Sequence, residues 1–199
     1  MGIYLDNELN WTRQINEVNK RARYAARNLQ RTAHILPFKP KLTLYISLIA
    51  FHFNYGDTVW GGCNIKNRNK LQKTQNCVIK NMLGMKIRDS STEALEKANL
   101  LTLQEKRQVH DAVYVKKALS DKLPASICLQ YQMHQSRRNY RSAEKQILTI
   151  PKHKTENYKN SPLYRSIVAW NNTPTDIKTL EMTTFKQKLQ AHIQKKTNL

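Results

Sequence analysis

Apolar residues recur every three or four positions along much of this chain, the spacing that places side chains on one face of an α-helix. The clearest case predicts a first helix from about Asn10 to about His34. Its apolar stripe consists of Trp11, Ile15, Val18, Ala22, Ala25 and Leu29. Pro37 ends this helix. Long stretches of this kind predict a mainly α-helical protein, built as a helical bundle.

A second helix is predicted to start near Pro40, which fits a first helical turn because its missing N–H would have no partner there. Apolar residues occupy most sides of this helix, so it is predicted to be central and buried. These residues are Leu42, Tyr45, Ile46, Leu48, Ile49, Phe51 and Phe53. Breaks follow at Gly56 and at Gly61.

A third helix is predicted from about Lys66 to Leu83, with Gly84 ending it. Ser90 caps a short fourth helix, and Thr102 begins a capping box for a fifth, which Pro124 limits. The inner face of the third helix is formed by Leu71, Gln75, Val78 and Met82.

The domain organisation predicted from these patterns has four parts. Residues 1–9 hold a short N-terminal strand around Ile3–Leu5, and residues 10–124 form the helical domain. Residues 125–161 form a basic, linker-like segment with a strand-like island at 147–150, and residues 162–199 form a C-terminal helical segment. The part after residue 124 is expected to be less compact than the helical domain, because it is more polar and more basic.

The chain is strongly basic: 34 Lys and Arg residues outnumber 14 Asp and Glu residues, for a net charge of +20 at pH 7. A protein of this charge repels itself unless an acidic partner is near, so nucleic acid or an anionic surface is the leading class of partner. A merely solvated basic surface is the alternative. It explains a few surplus lysines better than it explains a charge of +20.

Targeting and redox patterns are sparse. Cys63, Cys77 and Cys128 form no C-x-x-C motif or Cys/His cluster, so neither a disulfide framework nor a zinc site is predicted. No apolar run reaches the ~20 residues of a membrane span, and the N-terminus lacks the basic-then-apolar order of a signal peptide. The sequence therefore predicts an intracellular protein of the nucleus or cytoplasm, with no membrane partner.

The first and third predicted helices each carry a basic stripe beside the apolar one. Such stripes suit contacts with a phosphate backbone, which position a duplex without reading its sequence. An ordinary solvated helix face is the alternative, but it usually mixes charge signs, and Glu17 is the only acidic residue among the central turns. The candidate nucleic-acid-binding residues here are Arg13, Lys20, Arg23, Arg27, Arg31, Lys66, Lys70, Lys73 and Lys80.

A further candidate stretch follows residue 124, where basic and aromatic residues alternate. Arg137, Arg138 and Arg141 flank Tyr140 there, and similar Tyr-Lys and Tyr-Arg pairs follow at 158–165. Stacking of these rings on single-stranded bases is one interpretation. Core packing of Tyr140, of Tyr164 and of Trp170 is the other.

Catalytic patterns are lacking. The acidic residues are scattered, with no spacing that would gather carboxylates around Mg²⁺. The chain has no Gly-rich phosphate loop, no nucleophile elbow and no H-E-x-x-H motif. His52 and His110 lie on apolar helix faces, where core histidines are more common than catalytic bases. No catalytic residue, metal or cofactor is predicted.

Short motifs follow one another along the chain in the order found in one family. They are Gly2-Ile3-Tyr4-Leu5-Asp6, Leu9-Asn10-Trp11, Thr43-Leu44-Tyr45, Ser47-Leu48, Tyr55-Gly56, Val59-Trp60-Gly61, Leu71-Gln72, Gln75-Asn76, Ile79, Leu101, Leu103, Glu105-Lys106-Arg107, Trp170-Asn171, Pro174, Ile177, Phe185-Lys186 and Leu189. Their order resembles the region after the catalytic palm in reverse transcriptases of non-LTR retrotransposons, in particular the jockey-like clades. Thr102 stands where that family has a proline.

This resemblance implies that residues 10–123 correspond to a helical thumb, which clamps a template–primer duplex through basic helix faces. Residues 1–9 would be a residual strand at the edge of the palm. The family's Ala-Asp-Asp motif has no counterpart in this chain, so no catalytic residue is carried over. The expectation is a truncated, non-catalytic remnant of an RNA-directed DNA polymerase that binds RNA, DNA or their hybrid non-specifically.

Other function classes stay open. The chain could instead be a helical protein-interaction or structural module without a nucleic-acid role, whose palm-facing surface meets a protein partner. An independent enzyme is the third class, and it is disfavoured because no carboxylates gather to hold the metal ions that polymerisation needs.

Overall fold

The computed structural model describes residues 2–32, 34–133 and 146–197. The chain divides into two compact units, Met1–Gln104 and Glu105–Leu199. Helices dominate both units, and a single antiparallel bridge between Met133 and Leu148 is the only strand-like pairing in the described ranges. The predicted mainly α-helical class is therefore confirmed. The division after Gln104 lies before the boundary predicted after residue 124.

The first unit contains two long helices, α1 and α5, which are separated along the chain by a series of shorter ones. Its elements are α1 (Thr12–Thr32), α2 (Phe38–Leu44), a π-helical segment (Tyr45–Ala50), α3 (Phe51–Asn54), α4 (Asp57–Trp60), α5 (Ile65–Met82) and α6 (Ser91–Lys97). The predicted first, third and fourth helices correspond to α1, α5 and α6.

Of the remaining helices, α7 begins at the end of this unit and the others follow it. They are α7 (Leu103–Leu119), α8 (Ala125–Cys128), α9 (Glu156–Lys159), α10 (Pro162–Asn171), α11 (Thr175–Lys178) and α12 (Met182–Thr197). α7 begins directly after Thr102, and α10 and α12 lie within the helical segment predicted at 162–199.

Side chains cap two helices of the first unit, and the Ser90 cap is the one predicted from the sequence. The side chain of Asn64 accepts a hydrogen bond from the backbone N–H of Asn67 at 2.9 Å and begins α5. Ser90 accepts from the N–H of Glu93 and begins α6. Gly84, with φ of +68°, follows the end of α5 in the left-handed conformation of a helix C-terminus. The residues predicted on the inner face of α5 are all buried, namely Leu71, Gln75, Val78 and Met82.

The predicted N-terminal strand does not form. The backbone N–H of Tyr4 donates to Oε1 of Gln14 in α1 at 3.0 Å, and the guanidinium of Arg13 lies 4.5 Å from the centre of the Tyr4 ring. A strand needs a neighbouring strand to take up its backbone groups, and the described part of this unit contains none. The side chains of α1 hold the segment instead.

The second predicted helix corresponds to the continuous stretch of α2, the π-helical segment and α3, and the prediction that it is buried on most sides is wrong. Tyr45, Ile49 and Phe53 are at most 2% exposed, but Leu48 and Phe51 are each 47% exposed. An all-round apolar helix is buried only where other elements cover every side. Here α1 packs against the π-helical segment from one side, so the opposite side faces solvent.

The second unit has its own core. The rings of Trp170 and Phe185 lie 5.9 Å apart, and both side chains are at most 2% exposed. The indole N–H of Trp170 donates to the backbone oxygen of Gln146 at 2.9 Å. The side chain of Asn171 bonds both backbone groups of Leu148, at 2.9 Å and 3.0 Å. These contacts fasten the chain at 146–148 to α10.

Two lysines pack on aromatic rings in this core. Nζ of Lys116 lies 4.8 Å from the centre of the Phe185 ring, and Nζ of Lys178 lies 5.4 Å from the centre of the Trp170 ring. Burial lowers the pKa of both lysine side chains. Their role is explained by packing: Lys116 also donates to the backbone oxygen of Lys178 at 2.7 Å and so ties α7 to the end of α11.

Candidate nucleic-acid interface

α1 and α5 contact each other through polar side chains at regular spacing. Three side-chain hydrogen bonds cross between the helices: Asn67 to Thr12 at 3.2 Å, Lys70 to Asn16 at 2.6 Å, and Thr74 to Asn19 at 2.6 Å. The donors and acceptors recur three or four residues apart in each helix, so they lie on one side of it. Residue numbers rise together in the two helices along this contact, which means that α1 and α5 run in the same direction.

Apolar residues on the buried sides of α1 and α5 anchor both helices. Ile15 and Leu71 are fully buried, and Val18 and Val78 are each 6% exposed. These four side chains belong to one core cluster. The polar contact and the apolar cluster together fix the spacing and orientation of α1 relative to α5, so the outward faces of the two helices form one fixed surface.

The basic stripe of α1 lies on the outward side, beside this contact. Its five residues fall within roughly a quarter of the helix circumference at 3.6 residues per turn. They are all exposed: Arg13, Lys20, Arg23, Arg27 and Arg31. Lys20 stands four residues after Asn16, and Arg23 stands four residues after Asn19, on the side that borders α5.

The basic stripe of α5 borders the same contact from the other side. Lys66, Lys70 and Lys73 are exposed, and Lys80 is half-buried. Lys70 belongs both to the stripe and to the helix contact, since its Nζ reaches Oδ1 of Asn16. Lys80 donates to the backbone oxygen of Ile87 at 3.0 Å. The structure therefore brings the two predicted stripes together, and we call these nine residues of α1 and α5 the basic surface.

The basic surface carries little opposing charge of its own. Glu17 is the only acidic residue in the sequence of either helix, and it is half-buried. The Tyr4 ring holds the guanidinium of Arg13 in place at one end of the surface. A surface of one charge sign with fixed spacing attracts a polyanion along its whole length.

A groove opens at the other end of the α1–α5 contact, between the C-terminal halves of the two helices and the chain that follows α5. Its volume is about 340 Å³. Lys73 and Lys80 of the basic surface line it, together with the side-chain amides of Gln30 and Asn81 and the thiol of Cys77. The sequence carries no local signal for this groove, because Gln30 and Asn81 are brought together only by the pairing of α1 with α5.

The aromatic and basic stretch predicted after residue 124 is only partly visible. Arg137, Arg138 and Arg141 lie outside the described residues, as does Tyr140. Trp170 belongs to the core of the second unit, which favours packing over base stacking for this residue.

Within residues 2–32, 34–133 and 146–197, no group of three or more His, Cys, Asp or Glu side chains is placed to hold a metal ion. Over the same ranges, no helix has the length and apolar character needed to cross a bilayer.

Burial, and secondly the charge of Arg21, lowers the pKa of His52.

Comparison with protein families, with curated proteins and with solved structures finds no match to this chain. The functional interpretation consequently depends on the residues and geometry described above, together with the resemblance noted in the sequence.

Proposed function

We propose that the first unit of this chain is a non-catalytic nucleic-acid-binding module, which holds RNA, DNA or their hybrid through the basic surface without reading sequence. Its role would be the one that the resemblance assigns to the thumb of a retrotransposon reverse transcriptase, which is to bind the backbone of a template–primer duplex. We assign no catalytic activity to this chain by itself.

The side-by-side packing of α1 and α5 is the observation that carries this proposal. Because Lys70 bonds Asn16 directly, the two stripes cannot be separate faces of the unit. Cations held on a fixed surface lose less conformational freedom on binding than cations on a flexible tail. Each of them can displace a counterion condensed on a phosphate backbone.

The length of the surface suits a nucleic-acid backbone. The stripe of α1 runs from Arg13 to Arg31, which is about 27 Å at 1.5 Å per residue. One strand of a duplex advances ~3.4 Å per nucleotide, so this stripe spans roughly eight nucleotide steps. Non-specific contacts of this kind give micromolar affinity or weaker at physiological salt, and the affinity falls steeply as salt rises.

Charge reversal on α1 tests the proposal. In the variant R13E/K20E/R27E, the affinity for a fluorescently labelled duplex, measured by polarisation at several salt concentrations, should fall sharply. The plot of log affinity against log salt should become less steep, with the magnitude of its slope smaller by about 3, since each phosphate contact contributes ~0.9. Absence of binding by the unaltered chain at low salt, or binding that does not respond to salt, would contradict the proposal.

A matched control separates a defined surface from general positive charge. K186E/K188E/K195E changes three exposed lysines of α12 and alters the net charge by the same amount. This control should retain most of the affinity and most of the salt slope. An equal loss in both triple variants would show diffuse attraction rather than binding by the basic surface.

A helical protein-interaction module is the second candidate, and one observation favours it. On the solvent side of the second helical stretch, Ile46, Leu48 and Phe51 are 47–51% exposed. Leu48 and Phe51 stand three residues apart and are therefore neighbours on the helix surface, and adjacent exposed apolar groups are a feature of protein-binding surfaces. If the chain is a protein-interaction module, R13E/K20E/R27E leaves binding to the protein partner intact, and the double change Leu48→Ser and Phe51→Ser abolishes that binding. Under the nucleic-acid proposal, R13E/K20E/R27E lowers the affinity for nucleic acid and the double change leaves that affinity intact.

A further inference from the structure

The groove between the C-terminal halves of α1 and α5 has features that contacts with a phosphate backbone alone do not require. Besides two cations, it presents side-chain amides and apolar groups to the same small space. Apolar groups do not attract phosphates, and phosphates use only the donors of an amide and leave its acceptor without a partner. Both suit a nucleobase, which has hydrogen-bonding edges and apolar faces.

We infer that this groove takes one unpaired nucleotide of a single strand or of a single-stranded end, while the basic surface holds the adjoining backbone. The inference depends on the proposed nucleic-acid-binding function and adds a preference to it. Chains with an unpaired nucleotide should bind more tightly than fully paired ones.

Charge connects the groove to the basic surface. Lys73 and Lys80 stand seven residues apart, on the same side of α5, and both line the groove. Lys70 continues the same stripe toward the start of the helix. A strand whose phosphates follow α5 is therefore led to the groove.

Side-chain amides supply the hydrogen-bonding groups. Gln30 of α1 and Asn81 of α5 line the groove from its two sides. Each amide carries both a donor and an acceptor, as the edges of bases do. Within the described ranges the side chains of Gln30 and Asn81 make no hydrogen bond to the protein, so both amides can turn toward a ligand.

Apolar groups complete the site. Leu29 and Met85 line the groove, as does Ile87, whose side chain is 89% exposed and unexplained by packing in the first unit. The hydrogen bond from Lys80 to the backbone oxygen of Ile87 holds this segment against the end of α5. This side of the groove is therefore formed before a ligand binds. Apolar side chains of this kind pack on the faces of an extruded base.

Size limits the occupant to about one nucleotide. The groove volume of about 340 Å³ lies at the lower end of the ~300–1,000 Å³ typical of small-ligand sites. A base of an intact duplex is stacked and paired and would have to be extruded to enter the groove, whereas an unpaired base with its sugar can enter directly. This difference is the reason for expecting unpaired rather than paired nucleotides.

Cys77 provides a direct probe of the groove. Its exposed thiol lines the site, whereas Cys63 is buried. Alkylation of Cys77 in the full chain by iodoacetamide, followed by peptide mass mapping, should slow on the order of tenfold when a single-stranded RNA oligonucleotide saturates the protein. A blunt duplex of the same sequence should leave the rate nearly unchanged, and adenosine monophosphate should protect far less than the strand.

Paired variants test the amides. Changing Gln30 and Asn81 to alanine should lower the affinity for the single strand on the order of tenfold and leave the blunt duplex unaffected. The matched control changes Asn28 and Asn69 to alanine; these exposed amides lie on the same two helices outside the groove. The control should bind both forms as the unaltered chain does.

The outcomes separate this inference from the proposed function. Binding of nucleic acid with no protection of Cys77 would overturn the inference alone. So would equal protection by the blunt duplex, or protection by adenosine monophosphate as strong as that by the single strand. Failure to bind either form of nucleic acid would overturn the proposed function and the inference with it.

Discussion

Replacing Gln75 with leucine tests how the helix that carries four lysines of the basic surface is held in place. The Gln75 side chain is 2% exposed. Its amide donates to the hydroxyl of Tyr45 at 3.2 Å and to the backbone oxygen of Leu101 at 3.0 Å, and its oxygen accepts from the amide of Gln72 at 2.8 Å. Gln75 thus joins α5 to the π-helical segment and to the chain just before α7.

The expected loss follows from these partners. Leucine nearly preserves the side-chain volume, so the cavity cost is small. The hydroxyl of Tyr45 and the backbone oxygen of Leu101 both lose a partner in the interior, at about 1–3 kcal/mol each. We therefore expect the free energy of unfolding of the first unit to fall by about 2–6 kcal/mol, a large share of the ~5–15 kcal/mol of an ordinary domain.

Pulsed alkylation of Cys63 along a urea titration provides the measurement. Cys63 is 1% exposed and belongs to the core cluster of the first unit, so its modification reports opening of this unit by itself. The midpoint for Gln75→Leu should move to lower urea, while its affinity for nucleic acid in the absence of urea changes little.

A double-mutant cycle with Tyr45→Phe isolates one bond of the network. Tyr45→Phe alone should cost about 0.5–1.5 kcal/mol. Gln75→Leu should cost less in the phenylalanine background, because no hydroxyl is then left unpaired. A loss below about 1 kcal/mol for Gln75→Leu alone, or additive losses in the cycle, would refute this account of the network.

Other predictions concern capping, pH and a buried ion pair. Asn64→Ala should destabilise the first unit by about 1 kcal/mol in the same alkylation assay, because the cap of α5 is lost, whereas Asn64→Asp should be nearly neutral. Burial raises the pKa of Tyr45 from its ordinary value of 10.0 to about 12, so its phenol stays protonated in the folded unit while the unfolded chain ionises. Stability should therefore fall as pH rises from 10 toward 12, by at most about 3 kcal/mol, and Tyr45→Phe should remove that fall. In the second unit, Asp111→Ala should cost about 3–5 kcal/mol in thermal unfolding, because the carboxylate contacts the guanidinium of Arg165 at 3.3 Å with side-chain exposures of 5% and 17%; an unchanged melting temperature would contradict this.

Local patterns in the sequence were sufficient for the two helices that matter most. Periodic apolar residues located α1 and α5, and the capping residues Asn64 and Ser90 are consistent with where α5 and α6 begin. These features depend on residues within one or two turns of each other, so no knowledge of the tertiary structure was needed. The same periodicity placed each basic stripe on one side of its helix.

Features that depend on distant partners were predicted poorly. Ile3–Leu5 has the composition of a strand, but a strand forms only where another one can pair with it. Leu48 and Phe51 lie in a stretch with the apolar composition of a buried helix, but burial requires another element on each side of the helix. In both cases the local preference was real and the missing neighbour decided the outcome.

The pairing of α1 with α5 left a faint signal in the sequence. Thr12, Asn16 and Asn19 border the apolar stripe of α1 at spacings of four and three residues, and a similar polar series borders that of α5. Polar residues beside an apolar stripe are also common on solvated helices, so the series alone could not identify its partner. Only the hydrogen bonds between the helices show that the two series belong together.

The shared direction of α1 and α5 gives the basic surface a polarity. Because the helices are parallel, their dipoles add, and the positive ends of both lie near Arg13 and Lys66. The negative ends lie near the groove, where the last backbone carbonyls of each helix favour hydrogen-bond donors over phosphates. A bound strand should therefore meet its strongest electrostatic attraction at the Arg13 end and offer the amino groups of its bases at the groove. The two ends of the surface would thus play different parts, the Arg13 end attracting backbone phosphates and the groove end accepting hydrogen bonds from bases.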